Sequence, residues 1–312
     1  ITPQTRFILA QNTYGLSSDL DAINEIARKY KLRVIEDCAH GFGGYYKERP
    51  NGTNAEASFF STQWNKPFST GLGGIVFTPS IQTHKKLLQF ERDFRQPSLK
   101  EVWLLRILYF VREHFLTPTL YWQAVSTYRW LSERNLILGS SQGEELEDAI
   151  KPKSFEKGMS DFQAKIGLAQ LENFPRLQEH RLWVADKYDR IVSDLGIEPP
   201  YQPEYAKHGY LKYPLLVKNR DEFFKLAEKA KIEFGDWFLS PIHPVQSGFE
   251  KWNYHWGENP IGEKLSQHVI NLPTHLEVDE NYLDRIYTFL RANRKSIFDS
   301  ARACLNSMGI DS

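Results

Sequence analysis

Phe7-Ile8-Leu9-Ala10, the helical run 19–30 and Arg33-Val34-Ile35-Glu36-Asp37 decide the fold. The first is a short apolar run ended by Gln11-Asn12-Thr13-Tyr14-Gly15, the pattern of a strand entering a loop. The second places Leu20, Ile23, Ile26 and Ala27 at helical spacing. The third is a second buried strand. Two strands joined by a helix form a parallel pair with a right-handed crossover. Residues 57–61 and 74–78 have the composition of two further strands, so residues 1 to about 80 are expected to build an α/β sheet.

Outward from this unit the chain changes character. Residues 85–150 are mostly helical and hydrophobic, ending in the polar, acidic stretch 140–148. A long helical pattern runs over 159–195, with Ile166, Leu168, Ala169, Leu171, Phe174 and Leu177, and Pro175 is expected to kink or break it. Residues 196–205, with three prolines, form a linker. An α+β tail follows, with strands over 211–217 and 269–272 and helices over 221–231 and 279–293. The expected division is therefore 1–90, 91–150, 151–195 and 196–312.

Composition narrows the function. The chain has 312 residues, enough for one large or two ordinary domains. Its 39 Lys+Arg balance 39 Asp+Glu, which argues against a strongly basic nucleic-acid protein and against an acidic disordered tail. Hydrophobic residues at 41% and aromatics at 14% mark a packed globular chain. Two cysteines cannot frame a disulfide scaffold, so a reducing, cytoplasmic compartment is expected. Ile1-Thr2-Pro3-Gln4 lacks an initiator Met and any signal-peptide pattern, so a processed chain or a fragment of a longer one is expected. The greasiest stretches, 102–111 and 115–128, are interrupted by Arg106, Arg112, Glu113, His114 and Pro118, which a membrane span of about 20 apolar residues does not tolerate.

The chemistry concentrates at two places. Asp37 ends an apolar strand and is followed by Cys38-Ala39-His40-Gly41. Ligands bind at strand ends of open parallel sheets; the ordinary alternative for this carboxylate is a helix cap. The second place is Ser61-Thr62-Gln63-Trp64-Asn65-Lys66-Pro67-Phe68-Ser69-Thr70-Gly71-Leu72-Gly73-Gly74. A lysine in apolar surroundings has a lowered pKa and becomes a nucleophilic amine; the ordinary alternative is a solvated surface lysine. The glycines allow close backbone approach, but no Gly-Lys-Ser/Thr follows, so this is not a nucleotide P-loop. A strand-end Asp followed about 30 positions on by an amine that reacts with an aldehyde is the pair that pyridoxal phosphate requires.

These stretches resemble the DegT/DnrJ/EryC1/StrS family of sugar aminotransferases, of the fold-type-I pyridoxal phosphate (PLP) class. The resemblance is carried by 13–23, by Val34-Ile35-Glu36-Asp37-Cys38-Ala39-His40, by Phe60-Ser61 with Lys66 and Gly73-Gly74, and by Met159-Ser160-Asp161-Phe162-Gln163-Ala164-Lys165-Ile166-Gly167-Leu168-Ala169-Gln170-Leu171. A weaker block is Pro241-Ile242-His243-Pro244, with Leu272-Pro273 further on. The resemblance implies an α/β fold with a mostly parallel sheet flanked by helices, its first elements missing, and a smaller α+β C-terminal domain. Residues 1–90 would be the remainder of the large PLP-binding domain, 91–150 a helical hydrophobic insertion, 151–195 connecting helices and 196–312 the small domain. It implies transfer of an amino group from glutamate to a nucleotide-linked keto-deoxysugar, with PLP as cofactor and no metal, in a homodimer serving glycan biosynthesis. Lys66 looks like the Schiff-base lysine and Asp37 like the partner of the pyridine nitrogen. His40 falls beside the cofactor ring and its phenolic oxygen; its alternative is a core histidine. Ser61 looks like a phosphate ligand; its alternative is a strand-end serine capping a turn. His243 is a weak substrate-side candidate, and an ordinary loop histidine is its simpler reading.

Three departures stand beside the resemblance. The family's chain starts well before the segment matching Ile1, which implies a sequence truncated at its N-terminus. Where the family has an Asn that reaches the cofactor phosphate of the neighbouring subunit, this chain has Glu156 in Ser154-Phe155-Glu156-Lys157-Gly158-Met159, and Lys157 is the candidate to take over that contact. Third, residues 95–138 interleave Trp103, Tyr109, Phe110, Phe115, Tyr121, Trp122, Tyr128 and Trp130 with Arg106, Arg112, Arg129 and Arg134. Core or dimer packing, peripheral contact with the inner membrane face and a substrate lid all fit that pattern. Two other functions compete: a non-catalytic or regulatory relative, and a PLP-dependent sugar dehydratase, against which the presence of Lys66 counts because such relatives carry His there.

Overall fold

The computed structural model describes residues 1–115, 149–151, 155–307 and 309. Contacts divide the chain into two compact units, Ile1–Thr13 with Ser17–Pro175, and Tyr14–Leu16 with Arg176–Ser312.

The first unit opens with β1 (Phe7–Gln11), α1 (Leu20–Tyr30) and β2 (Arg33–Asp37). Asp19 starts α1 by accepting from the Ala22 N–H, and Lys31 ends it in the left-handed conformation. A hairpin of β3 (Tyr45–Tyr46) and β4 (Arg49–Pro50) follows, then β5 (Ala57–Ser61) and β6 (Gly74–Phe77). The sheet order is β1-β2-β5-β6. β1, β2 and β5 run parallel, with Gln11 opposite Asp37 and Asp37 opposite Phe59, and β6 returns antiparallel to β5. Parallel strands end on the same side of a sheet, so Gln11, Asp37 and Ser61 finish at one end of it. This is where the chain leaves β2 and β5 for the loops that carry the candidate residues.

Strand side chains alternate between faces. Val34 and Glu36 are buried, whereas Ile35 and Asp37, on the opposite face, are half-buried. Three helices complete the unit: α2 (Ile81–Glu91), α3 (Leu99–Phe115) and the first part of α4 (Asp161–Asp194). The helix expected over 159–195 is present, but Pro175 does not break it. Proline lacks the N–H that would reach back one turn, and the helical runs on both sides are long enough to continue without that bond. The two units divide at this proline.

The second unit contains the rest of α4, a two-residue strand β7 (Ala206–Lys207), β8 (Tyr213–Leu216), α5 (Arg220–Lys229), α6 (Pro260–His268), β9 (Val269–Leu272), α7 (Glu280–Ala292) and α8 (Ala301–Asn306). β8 and β9 pair antiparallel, with Tyr213 opposite Leu272. Val184, Tyr188, Ile270, Leu272, Ile286 and Leu290 form its buried core. Two tyrosines inside that core keep their hydroxyls satisfied: Tyr188 donates to the Pro273 carbonyl at 2.9 Å and Tyr213 to Asp189 at 2.7 Å. Among the described residues no helix is long and apolar enough to cross a membrane.

Candidate active site

The end of β2 is held by the residue before the candidate aspartate. Glu36 is 0% exposed. Its Oε2 accepts from Gly52 N–H at 2.8 Å and from Asn12 Nδ2 at 3.1 Å, and its Oε1 accepts from Asn54 N–H at 2.9 Å. A buried carboxylate demands such donors. Here they tie β2 to the turn before β5 and to the loop after β1. Asp37 faces the other way. Its Oδ1 accepts from Ala39 N–H at 2.9 Å and its Oδ2 from Gln11 Nε2 at 3.2 Å. Both contacts fix the carboxylate at the sheet end. The first caps a turn, not a helix, because 39–43 are turn residues.

Cys38 is buried beside Glu36, its Sγ 3.9 Å from Oε2. Burial, then the Glu36 charge, holds its thiol far above the usual range, so it is an S–H and not a nucleophile. His40 is buried in the turn that follows, which is closed by Gly41 N–H to the Cys38 carbonyl at 2.9 Å and steadied by Asn51 Nδ2 on the Gly41 carbonyl at 3.1 Å.

The second half of the site is the loop after β5. Ser61 ends the strand, its Oγ 3.4 Å from Gln63 N–H. Lys66 lies in the turn beyond, its own N–H donating to the Gln63 carbonyl at 3.1 Å. The loop closes on itself where Thr62 and Gly73 meet: Thr62 N–H reaches the Gly73 carbonyl at 3.0 Å, and Thr70 N–H reaches the Thr62 carbonyl at 2.9 Å. The Thr62 and Thr70 hydroxyls join at 2.7 Å. Gly71 has φ +87°, and a Cβ there would lie 2.6 Å from Leu105 Cδ1 and 3.1 Å from Trp64 Cζ2. The positive φ favours glycine at that point, and any side chain there would also have to displace the Leu105 methyl.

Two helices grip the loop from outside. From α3, Arg112 Nη1 donates to the Trp64 carbonyl at 2.6 Å, with the guanidinium 5.4 Å from the Trp64 ring, and the Tyr109 hydroxyl donates to the Ser69 carbonyl. From α4, Gln163 Nε2 donates to the Leu72 carbonyl at 2.6 Å, and Gln170 Oε1 accepts from Ser69 N–H at 3.0 Å. These residues stand about 40 to 100 positions from the lysine loop, and no reading of the loop by itself singles them out.

Asp37, His40, Ser61 and Lys66 thus fall in one unit, on the turns and loop leaving two adjacent parallel strands. His243 lies in the second unit, where its Nδ1 accepts from Leu239 N–H at 3.1 Å. The Lys157 amine is engaged by Glu101 at 2.6 Å, and Arg95 grips the same carboxylate through two bonds of 2.8 and 2.9 Å. Arg95 first, then Lys157, hold the Glu101 carboxyl far below the usual carboxylate range. Glu156 pairs with Lys151. The aromatic-basic stretch 95–138 is described only as far as residue 115; its remainder lies outside the described residues.

A mixed, mostly parallel sheet with helices is the fold of the PLP-dependent aminotransferases that this chain resembles in structure. A solved DegT/DnrJ/EryC1/StrS aminotransferase from Brucella abortus superposes with a TM-score of 0.67 at 19% identity, over 92% of this chain and 64% of that one. Other solved structures of this fold are in PLP and PMP forms. The sequence model of the DegT/DnrJ/EryC1/StrS aminotransferase family matches residues 1–103 and 138–291, and the chain belongs to that family. Among curated relatives, GDP-perosamine synthase of Escherichia coli O157:H7 is 28% identical over 278 residues, 88% of this chain and 62% of the relative. L-glutamine:scyllo-inosose aminotransferase of Streptomyces griseus is 42% identical over 289 residues, 92% of this chain and 56% of the relative. The chain thus spans less than two thirds of the length of these two relatives.

Proposed function

We propose that this chain carries the catalytic lysine of a PLP-dependent enzyme that moves an amino group from an amino acid to the ketone of a nucleotide-linked deoxysugar. The reading rests on one observation: Asp37, Ser61 and the Lys66 loop leave the same end of two adjacent parallel strands. This donor set fits the group in kind, with a carboxylate for a cationic ring nitrogen, a primary amine for an aldehyde and a hydroxyl for a phosphate. Bound PLP supplies an aldehyde and a ring that draws electrons from a neighbouring carbon. The chain's residues do the rest. Asp37, oriented by Gln11 and the Ala39 N–H, favours the protonated form of the ring nitrogen. With the group bound, His40 would lie beside the ring and Ser61 would donate to the phosphate. The Lys66 amine would take a proton from the donor's α-carbon and, in the second half-reaction, return one to the sugar carbon that receives the nitrogen.

Glutamate is the donor this reading favours. Because two curated relatives are named for L-glutamine, the test compares both. The PLP-loaded protein is mixed with each amino acid separately, and the visible band is followed. Bleaching by glutamate, restored by a nucleotide-linked keto-deoxysugar, is the expected result. Bleaching by glutamine and restoration by a keto-cyclitol would move the substrate assignment to that class. No bleaching by either donor would overturn the aminotransferase reading.

The same reading makes the enzyme a cytoplasmic homodimer that feeds surface-glycan assembly. On α3, Leu99, Trp103, Ile107 and Phe110 are exposed at helical spacing. That stripe supports a contact surface in the 95–138 region, either between subunits or against a membrane.

A further inference from the structure

We propose that Gln163 positions Lys66, by clamping the closing arm of the lysine loop onto helix α4. This rests on Lys66 being the reactive amine. Gln163 is 8% exposed. Its carboxamide is used from both ends. Nε2 donates to the carbonyl of Leu72 at 2.6 Å and, more weakly, to that of Thr70 at 3.4 Å. Oε1 accepts from the Ser160 hydroxyl at 2.9 Å and from the Ser160 N–H at 3.1 Å. The amide is thereby held in one orientation by the N-terminal turn of the helix, with its donor end aimed into the loop.

The clamp bears directly on the lysine. Leu72 and Thr70 lie in the arm that returns from Lys66, and that arm is bonded to the outgoing one at Thr62 through Thr70 and Gly73. Fixing the returning arm therefore fixes the base of the turn that presents Lys66. One helical repeat further along α4, Gly167 admits the loop at a close approach, since a Cβ there would lie 3.2 Å from Thr70 Cγ2. Gln170 then holds Ser69 N–H. Two glutamines on one helix face thus grip successive residues of one arm, and a reactive group held by a rigid neighbour loses less freedom on reaction.

The test uses Gln163→Glu, which keeps the acceptor for Ser160 but sets a carboxylate against two carbonyls. Gln170→Ala is the second variant, with the milder loss. Asn173→Ala is the control, because Asn173 is exposed and, among the described residues, its side chain bonds to the Ala169 carbonyl of its own helix. Two readouts are taken on folded protein, checked by circular dichroism. The first is the rate at which the visible band appears on adding PLP. The second needs no cofactor: reductive methylation with formaldehyde and cyanoborohydride, with Lys66 and Lys212, a half-buried lysine of the second unit, quantified separately by peptide mass spectrometry. Gln163→Glu is expected to slow appearance of the band at least tenfold and to speed Lys66 methylation at least threefold relative to Lys212. Gln170→Ala should move both in the same directions, and Asn173→Ala neither. A merely structural role would raise labelling of both lysines together, and that result overturns the proposal. So does an unchanged Lys66 ratio in both glutamine variants. If wild-type protein gives no band while the Lys66 ratio still shifts in the variants, the clamp stands and the cofactor reading fails.

Discussion

Lys66→Ala is expected to abolish amino transfer and to leave added PLP with the absorbance of the free aldehyde. In the proposed reading Lys66 carries both the bond to the cofactor and the proton transfers, and loss of a positioned acid–base group alone costs about 10³-fold in rate. The loop keeps its outer anchors in this variant, the side chains of Gln163, Gln170, Tyr109 and Arg112, and circular dichroism and thermal unfolding check that it still folds. A variant that folds normally and transfers no nitrogen separates chemistry from folding. Turnover within tenfold of wild type would mean that another group carries the reaction.

Glu36→Ala is expected to cost about 3 kcal/mol of stability or more, because each buried donor left without a partner costs about 1–3 kcal/mol. Three N–H donors lose their acceptor at once, Asn12 Nδ2, Gly52 N–H and Asn54 N–H, and so does the weaker Cys38 S–H. Water entering the vacated space offsets part of this. Removing a buried charge offsets more, so the loss lies at the low end of that sum. Glu36→Gln retains one acceptor and turns a donor toward another donor, so it should fall between wild type and alanine. Urea denaturation of the three proteins orders them. The variant should also weaken PLP binding, because the next residue is Asp37 and the strand end that presents it loses its tie to residues 52 and 54. A loss below about 0.5 kcal/mol, the range of ordinary surface changes, would show that Glu36 is not an anchor.

The two predictions differ in how visible their residues were in the sequence. The β1–α1–β2 unit is legible because apolar runs and helical spacing are local signals, and its strands pair parallel as expected. Lys66 and Asp37 stand out because their chemistry is unusual for their neighbourhood. Glu36 does not. In the sequence it reads as a polar residue at a strand end, and only the partner loop, folded back from 51–54, reveals that it is buried. The glutamines of α4 sit within a quoted motif, yet their targets lie about 90 to 100 positions away, beyond any local pattern. The β3–β4 hairpin escaped because strands of two residues have no readable period. Helix α6 had a usable signal in Asn259-Pro260, a cap followed by proline at the first turn. Of the kink or break expected at Pro175, the break does not occur, since one missing hydrogen bond does not end a helix that continues favourably on either side.

One measurement bears on the centre of the account. Protein treated with PLP is reduced with borohydride, digested, and searched for the pyridoxyl mass on each lysine peptide. The account predicts a single modified residue, Lys66, with no modification there in a sample reduced before PLP is added. Stoichiometric label on a different lysine, or none on Lys66 in folded protein, would contradict it.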